Sequence, residues 1–134
     1  MTGAPERALE AHDVGAEANF ELGRFRVFEI RGRSIGVVRS AAGWFAVRNR
    51  CPHQGAPLCA GKVTGTMLPG PPDQLEWAMD GQVVRCPWHG WEFDLKSGRS
   101  LFSVSKDRAA TYPVQVSDGR VAVLLTAATR RTTG

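Results

Sequence analysis

CPHQG at residues 51–55 and CPWHG at residues 86–90 are the two segments on which the interpretation of this 134-residue sequence depends. Each segment supplies one thiol and one imidazole, spaced Cys-x-His in the first and Cys-x-x-His in the second. The whole chain has only three Cys and three His, so the two segments hold most of both. Each segment ends in a glycine, which lets backbone amides approach a buried anion such as an inorganic sulfide. Both segments therefore have the composition of metal-binding loops.

Four side chains in these segments are candidate metal ligands: Cys51, His53, Cys86 and His89. Zinc binds two thiolates and two imidazoles in a closed tetrahedral structural site. A 2Fe-2S cluster takes the same set, with both Cys on one iron and both His on the other. The spacing alone leaves the two metals open and favours zinc, because structural zinc is the commoner use of paired Cys and His.

The full amino-acid sequences of the two loops are more specific than the spacing of their Cys and His residues. CPHQGAPL at residues 51–58 and CPWHGWEFD at residues 86–94 closely resemble the two cluster loops of Rieske proteins. The second loop is similar to that of the Rieske domains of ring-hydroxylating oxygenases, and the resemblance extends over residues 25–125. It implies a Rieske-type 2Fe-2S cluster and a Rieske fold.

The resemblance also implies a role for each residue of the loops. Cys51 and Cys86 are expected to bind the inner iron as thiolates, and His53 and His89 the outer iron as neutral imidazoles near the surface. The residues expected around the cluster are Gln54, Gly55, Ala56, Trp88, Gly90 and Trp91. Cys59 lies outside both motifs, and we expect it to be a buried structural thiol.

Two departures from the high-potential Rieske subunits of respiratory complexes bear on the redox potential. The positions of their bridging disulfide correspond here to Ala56 and Trp88, so that bridge cannot form. Trp91 and Phe93 stand where those subunits place hydroxyl groups, which leaves fewer donors to stabilise the reduced state. We expect a potential in the lower half of the family range of about −150 to +300 mV.

Outside the loops, short runs rich in Val, Ile and Phe alternate with turn signals, which is typical of β-structure. Asp80-Gly81 predicts the clearest hairpin of the sequence, and Asp118-Gly119 predicts the last one. The pattern predicts an all-β fold: an antiparallel sandwich or barrel base with a smaller cluster-binding subdomain of two loops and short hairpins. Predicted strands occupy residues 24–31, 34–39, 44–49, 75–79, 82–85, 91–94, 111–116 and 121–125.

The composition indicates an acidic leader at residues 1–22 and a flexible tail at 127–134, and the resemblance implies a Rieske domain at 23–126. We expect residues 1–19 to form a turn of helix or a loose arm, with His12 exposed to solvent.

The cluster-binding part, at about residues 48–100, contains an insertion at about 62–79. Its Pro-rich portion, residues 62–74, is predicted to be a stiff loop. A partner-recognition element and a tolerated surface insertion are both compatible with it.

The net charge is +4, but residues 1–22 hold five acids and one base, whereas the remainder holds 16 bases and eight acids. Such a field attracts acidic proteins or nucleic acid. The Arg residues are spread singly along predicted strands without interleaved aromatics, so we expect solvated strand faces and no nucleic-acid partner. Arg48 and Arg50 fit either an acidic partner or solvated strand ends.

No apolar run reaches the roughly 20 residues of a membrane helix, and residues 1–15 lack a signal-peptide core. We therefore expect a cytoplasmic protein without a membrane partner.

Counting ligands limits the function that the resemblance implies. Oxygen activation by the related oxygenases needs a mononuclear iron held by two His and a carboxylate. With His53 and His89 assigned to the cluster, only His12 remains, so we expect no catalytic site and no small-molecule substrate in this chain. The leading hypothesis is a Rieske ferredoxin that takes electrons from a flavin-dependent, NAD(P)H-dependent reductase and delivers them to a terminal oxygenase or another oxidoreductase. The alternatives are an obligate Rieske subunit of an oxygenase or nitrite-reductase-like assembly, a cluster-based redox sensor, and a zinc-stabilised binding module.

Overall fold

A computed structural model describes residues 9–52, 55–70, 74–87, 91–101 and 108–126, with the side chains of residues 66–78 excluded. The described residues form strands and two single turns of 3-10 helix, Glu17–Asn19 and Leu58–Ala60. No helix among them has the length and apolar character needed to cross a bilayer. The strands are β1 Leu9–Ala16, β2 Arg26–Ile30, β3 Arg33–Ser40, β4 Gly43–Arg48, β5 Lys62–Gly70, β6 Gln74–Arg85, β7 Glu92–Asp94, β8 Thr111–Tyr112, β9 Val114–Ser117 and β10 Arg120–Thr126.

The strands form three antiparallel sheets, ordered β1-β10-β9, β2-β3-β4-β8 and β5-β6-β7. The prediction of an all-β antiparallel fold is confirmed. The predicted strands at residues 24–31, 34–39 and 44–49 correspond to β2, β3 and β4, which pair as an antiparallel meander, and the predicted last hairpin is confirmed as β9 and β10. Their two-residue turns, Arg31-Gly32 and Asp118-Gly119, have positive φ at both positions, as tight hairpins require.

The sheet of β2, β3, β4 and β8 carries a separate apolar core on each face. Successive strand residues point to opposite faces, so Ile35 and Val37 of β3 enter one core while Val38 enters the other. β4 repeats the pattern with Ala46 and Val47. The base core consists of Val14, Phe20, Ile30, Ile35, Val37, Ala46, Val121, Val123 and Leu125. The loop-side core consists of Val38, Val47, Cys51, Ala56, Leu58, Cys59, Val84, Cys86, Phe93, Leu95 and Ala109.

The prediction of a hairpin at Asp80-Gly81 is wrong, because β6 continues through both residues. The register passes from Thr64 opposite Val83 to Thr66 opposite Ala78, so residues 79–82 bulge out opposite Gly65. Met79 and Gly81 take φ values of 57° and 77° there.

The bulge contacts the sheet of β2, β3, β4 and β8, and this contact explains why Asp80-Gly81 forms a bulge in place of a hairpin turn. The buried Ser40 hydroxyl donates a hydrogen bond of 2.6 Å to the Gly81 carbonyl. A Cβ on Gly81 would lie 3.1 Å from the Ala42 amide nitrogen, a tight contact, and the φ of 77° is one that side chains rarely adopt, so both features favour glycine.

Two further expectations about local structure are wrong. Residues 62–70 form β5 in place of a stiff loop; Pro69 is tolerated because β5 is an edge strand of its sheet. Leu9–Ala16 forms β1 in place of a helical turn or loose arm, because it pairs with β10 and buries Val14 in the base core. His12 is consequently half-buried, with only 26% of its side chain exposed. The expected tail at residues 127–134 lies outside the described residues.

Candidate metal centre

Cys51 and Cys86 come from different strands and enter the same core. Cys51 follows the end of β4, and Cys86 directly follows β6 at the connection to β7. Each has a relative exposure of 1%, and both belong to the loop-side core. The structure therefore brings together two thiols that are 35 positions apart in the chain.

The two loops are closed by equivalent backbone hydrogen bonds. The Cys51 amide donates to the Ala56 carbonyl at 2.8 Å, and the Cys86 amide donates to the Trp91 carbonyl at 2.7 Å. In both cases a Cys bonds to the residue five positions later. Gly55, which has a φ of 76°, also donates to the Cys51 carbonyl at 2.7 Å. Each loop is thus a self-closed unit whose first residue is buried.

The remaining predicted site residues divide into two groups. Ala56 is buried in the loop-side core, Gly55 is exposed, and Trp91 is half-buried and packs against that core. His53, Gln54, Trp88, His89 and Gly90 lie outside the described residues. Within the described ranges, no three His, Cys, Asp or Glu side chains form a metal-binding group.

The chemistry of the two thiols fits an iron–sulfur cluster. All three cysteines of the chain are described, and none forms a disulfide. Thiolate is the ligand that holds iron in these clusters. An apolar surrounding limits solvent access, which is one of the means by which proteins tune such a centre. Phe93, with a relative exposure of 1%, contributes to that surrounding.

Asn49 fixes the entry to the first loop, a role that the sequence analysis missed. Its side-chain carbonyl accepts a hydrogen bond of 2.8 Å from the Cys59 amide, and its side-chain amide donates to the Ser34 hydroxyl at 3.3 Å. One residue therefore ties both ends of the segment around the first loop to β3. Only an Asn placed between a strand and a Cys signals this in the sequence, which is too weak to predict it.

Gly61 and Arg85 join the two loops at their bases. A Cβ on Gly61 would overlap the Arg85 carbonyl oxygen, so only glycine allows this contact. Arg85 also forms an ion pair of 3.1 Å with Glu92, its cross-strand neighbour on β7. Arg85 and Glu92 therefore close the base of the second loop twice, as neighbours across β6 and β7 and as a salt bridge.

Cys59 is buried, as predicted, and shares the loop-side core with Cys51 and Cys86. It has a relative exposure of 8% and packs beneath Gly36, where a Cβ would overlap its sulfur. Burial raises the pKa of its thiol to about 12, although the Gly36 amide partly opposes the shift. The thiol is therefore protonated at neutral pH, as expected of a structural cysteine.

Comparison with known proteins defines the class to which this fold and these loops belong. The Rieske 2Fe-2S domain matches residues 10–113. The chain therefore belongs to the Rieske family and is an electron-transfer domain whose cofactor is a Rieske 2Fe-2S cluster.

Two relatives illustrate the contexts in which such domains occur. The chain is 32% identical to 4beta-methylsterol monooxygenase of Methylococcus capsulatus, over 86% of this chain and 32% of that protein. It is also 32% identical to the 3-phenylpropionate/cinnamic acid dioxygenase ferredoxin subunit of Photorhabdus laumondii, over 58% of this chain and 60% of that subunit. The chain thus covers less than two thirds of either relative.

Solved structures support the fold. The ferredoxin of carbazole 1,9a-dioxygenase from Nocardioides aromaticivorans superposes with a TM-score of 0.67 at 21% identity, over 84% of this chain and 95% of that one. A structure described as the small subunit of an NADH-dependent nitrite reductase from Mycobacterium tuberculosis gives a TM-score of 0.68 at 22% identity, over 92% and 100%.

Proposed function

We propose that Cys51 and Cys86 bind one iron of the cluster and that His53 and His89 bind the other. The observation that carries this proposal is the burial of both thiols in one core, each at the start of a loop closed by the same hydrogen bond. The cluster, when bound, takes up and releases one electron. The loops hold the two thiolates in fixed positions, while Trp91 and Phe93 limit the access of water to them.

We further propose that the chain is a ferredoxin, carrying electrons from a flavin-dependent reductase to a terminal oxygenase or another oxidoreductase in the cytoplasm. The similarity to a dioxygenase ferredoxin subunit supports this role. The similarity to a nitrite reductase small subunit favours a second candidate, an obligate subunit of a larger oxidoreductase. Gel filtration of the native extract distinguishes them, since a free carrier elutes alone and a subunit elutes with its catalytic chain.

Visible and EPR spectra of the dithionite-reduced protein test the cluster and its ligands. We expect Cys51→Ser, Cys86→Ser, His53→Ala and His89→Ala each to lose the native Rieske signal. Cys59→Ser is the matched control and is expected to keep it. A colourless wild-type protein that binds zinc contradicts the proposed function, and a native spectrum in Cys86→Ser contradicts the ligand assignment.

The midpoint potential follows from the residues that line the second loop. Trp91 and Phe93 supply no hydroxyl donor to the cluster sulfurs, so the reduced state receives less stabilisation. We expect a midpoint in the lower half of the Rieske range. Redox titration followed by EPR measures it, and a value above about +100 mV contradicts this explanation.

A further inference from the structure

An exposed arginine directly precedes each of the two proposed cysteine ligands. Arg50 and Arg85 are both exposed, whereas Cys51 and Cys86 are buried. Arg85 is the last residue of β6, where neighbouring side chains point to opposite sides, so the inward Cys86 thiol is accompanied by an outward Arg85 side chain. The Arg50 guanidinium also lies along the first loop, 3.7 Å from where a Cβ of Gly55 would stand.

Lys62 is a third exposed cation near the loops and lies beside Arg85. It is exposed and pairs directly with Arg85 across β5 and β6, which places both side chains on one face. The adjacent Gly61 contacts the Arg85 carbonyl, so this pair lies where the bases of the two loops meet. We call Arg50, Lys62 and Arg85 the loop-edge cations.

Intramolecular pairing leaves this edge positive. Arg85 binds Glu92, but 53% of the Arg85 side chain is exposed against 14% of the Glu92 side chain, so the pair presents its cation to solvent. Among the described residues, neither Arg50 nor Lys62 has a carboxylate within ion-pair distance.

The base of the molecule treats its arginines differently. Arg24, Arg31 and Arg120 pair with the acidic residues Glu21, Glu10 and Asp13. Arg26 and Arg39 lie over aromatic rings instead. These five arginines therefore have partners within the chain, whereas, in the part of the chain that the structure describes, Arg50 and Lys62 have neither an ion pair nor an aromatic ring beneath them.

We propose that the loop-edge cations form the docking surface for a redox partner, and that the partner presents an acidic surface to it. This inference rests on the proposed function and names the chemistry of the partner. Complementary charge accelerates encounter and orients the two proteins, which places the partner against the loops that hold the cluster. A protein partner is favoured over nucleic acid, because the large apolar side chains exposed in the described residues are Leu9, Leu22, Val27 and Val116, none of which can stack on bases.

The test uses small oxidants of opposite charge as probes of the edge. Reduced protein is mixed with ferricyanide, a trianion, or hexaamminecobalt(III), a trication, and oxidation is followed by stopped-flow absorbance. Each oxidant accepts one electron, giving ferrocyanide or cobalt(II). Arg50→Glu and Lys62→Glu reverse one charge each at the edge. Lys96→Glu is the control, because Lys96 is also exposed but lies in the turn after β7, beside Trp44 and Tyr112 of the base.

We expect Arg50→Glu and Lys62→Glu to slow oxidation by ferricyanide on the order of tenfold at low ionic strength and to speed oxidation by the cobalt complex. Lys96→Glu is expected to have little effect on either. The differences are expected to vanish between about 0.01 M and about 1 M salt, as the Debye length falls from about 30 Å to about 3 Å. The midpoint potential of each variant is measured, so that a change in driving force is separated from a change in encounter.

Two results overturn the docking proposal alone: equal rates for all three variants in a protein with a native Rieske spectrum, or tight binding of a fluorescent DNA duplex that Arg50→Glu abolishes. A wild-type protein without a redox-active cluster overturns the proposed function, and the docking surface with it. The spectrum therefore distinguishes the two failures.

Discussion

The base core and the loop-side core lie on opposite faces of one sheet, yet they differ in how they are filled. The base core is built from aliphatic side chains and Phe20, with no cysteine. The loop-side core contains all three cysteines together with the small residues Ala56 and Ala109. The polypeptide alone completes the first core, whereas two of the three thiols in the second core are the proposed ligands of the cluster. On that assignment, we expect the folded state of the loop side to depend on a component that the chain does not encode.

Removal of iron is expected to have the largest effect of the changes that test this difference between the two cores. A ligand that binds only the folded state stabilises it by about 2.7 kcal/mol even at a hundredfold excess over its Kd. We expect chelation to speed amide exchange in β6 and β7 by more than about 100-fold, and to leave β1 and β10, whose buried residues belong to the base core, nearly unchanged. Hydrogen exchange with mass spectrometry measures both sides in one sample. A uniform acceleration across both cores contradicts the distinction.

A matched pair of leucines tests the two cores by packing alone. Leu95 in the loop-side core and Leu125 in the base core have relative exposures of 2% and 1%. Each change to Ala is expected to cost about 2–5 kcal/mol of unfolding free energy, measured by denaturant titration. Only Leu95→Ala is expected to lower the iron content of purified protein. Equal iron loss in Leu125→Ala shows that the cores are not independent.

Gly36 sharpens the comparison within the shared sheet, because its missing side chain leaves room for Cys59. A Cβ there overlaps the Cys59 sulfur, and overpacking of this kind costs about 1–3 kcal/mol. We expect Gly36→Ala to lower the thermal midpoint and Cys59→Ala to restore part of the loss. A double-mutant cycle measures the coupling, and purely additive effects contradict the proposed contact.

The smallest expected effect concerns the ion pair of Asp13 and Arg120 on the base. Hydrogen bonding from Arg120 lowers the pKa of Asp13 below its ordinary value of 3.8, assisted by the Gly15 amide. The resulting stability is present above pH 3.8 and is lost as the pH falls through the folded pKa. Arg120→Gln is expected to raise the pKa of Asp13, as measured by NMR titration, without altering the Rieske spectrum. An unchanged pKa contradicts the assigned cause.

The turn dipeptides show both the strength and the limit of prediction from sequence. Asp118-Gly119 forms the expected turn because the strands beside it pair locally, and the turn between β2 and β3 lies at Arg31-Gly32, one residue before the predicted gap at 32–33. Asp80-Gly81 is the same kind of turn dipeptide, but it lies in a bulge of β6. The Gly81 carbonyl in that bulge accepts a hydrogen bond from Ser40, which is 41 positions away in the sequence. The strand β1 was missed for a related reason, since its pairing with β10 comes from the far end of the chain.

The sequence predicts the candidate metal ligands, but it does not predict the residues that hold the two loops in place. Residue type and spacing identify Cys51 and Cys86 as candidate ligands. Asn49 and Gly61 matter only through Cys59, Ser34 and the Arg85 carbonyl, and no local pattern reveals those contacts.

The closure of each loop by a bond between its first and last residues has a consequence for engineering. The Cys51 amide donates to the Ala56 carbonyl and the Cys86 amide to the Trp91 carbonyl, so each loop closes on itself within six residues. A six-residue loop that keeps its leading cysteine and this hydrogen bond is therefore the natural unit of exchange on such a framework. In such a design the strands determine where the two cysteines are held, and the interior of each loop supplies the remaining ligands.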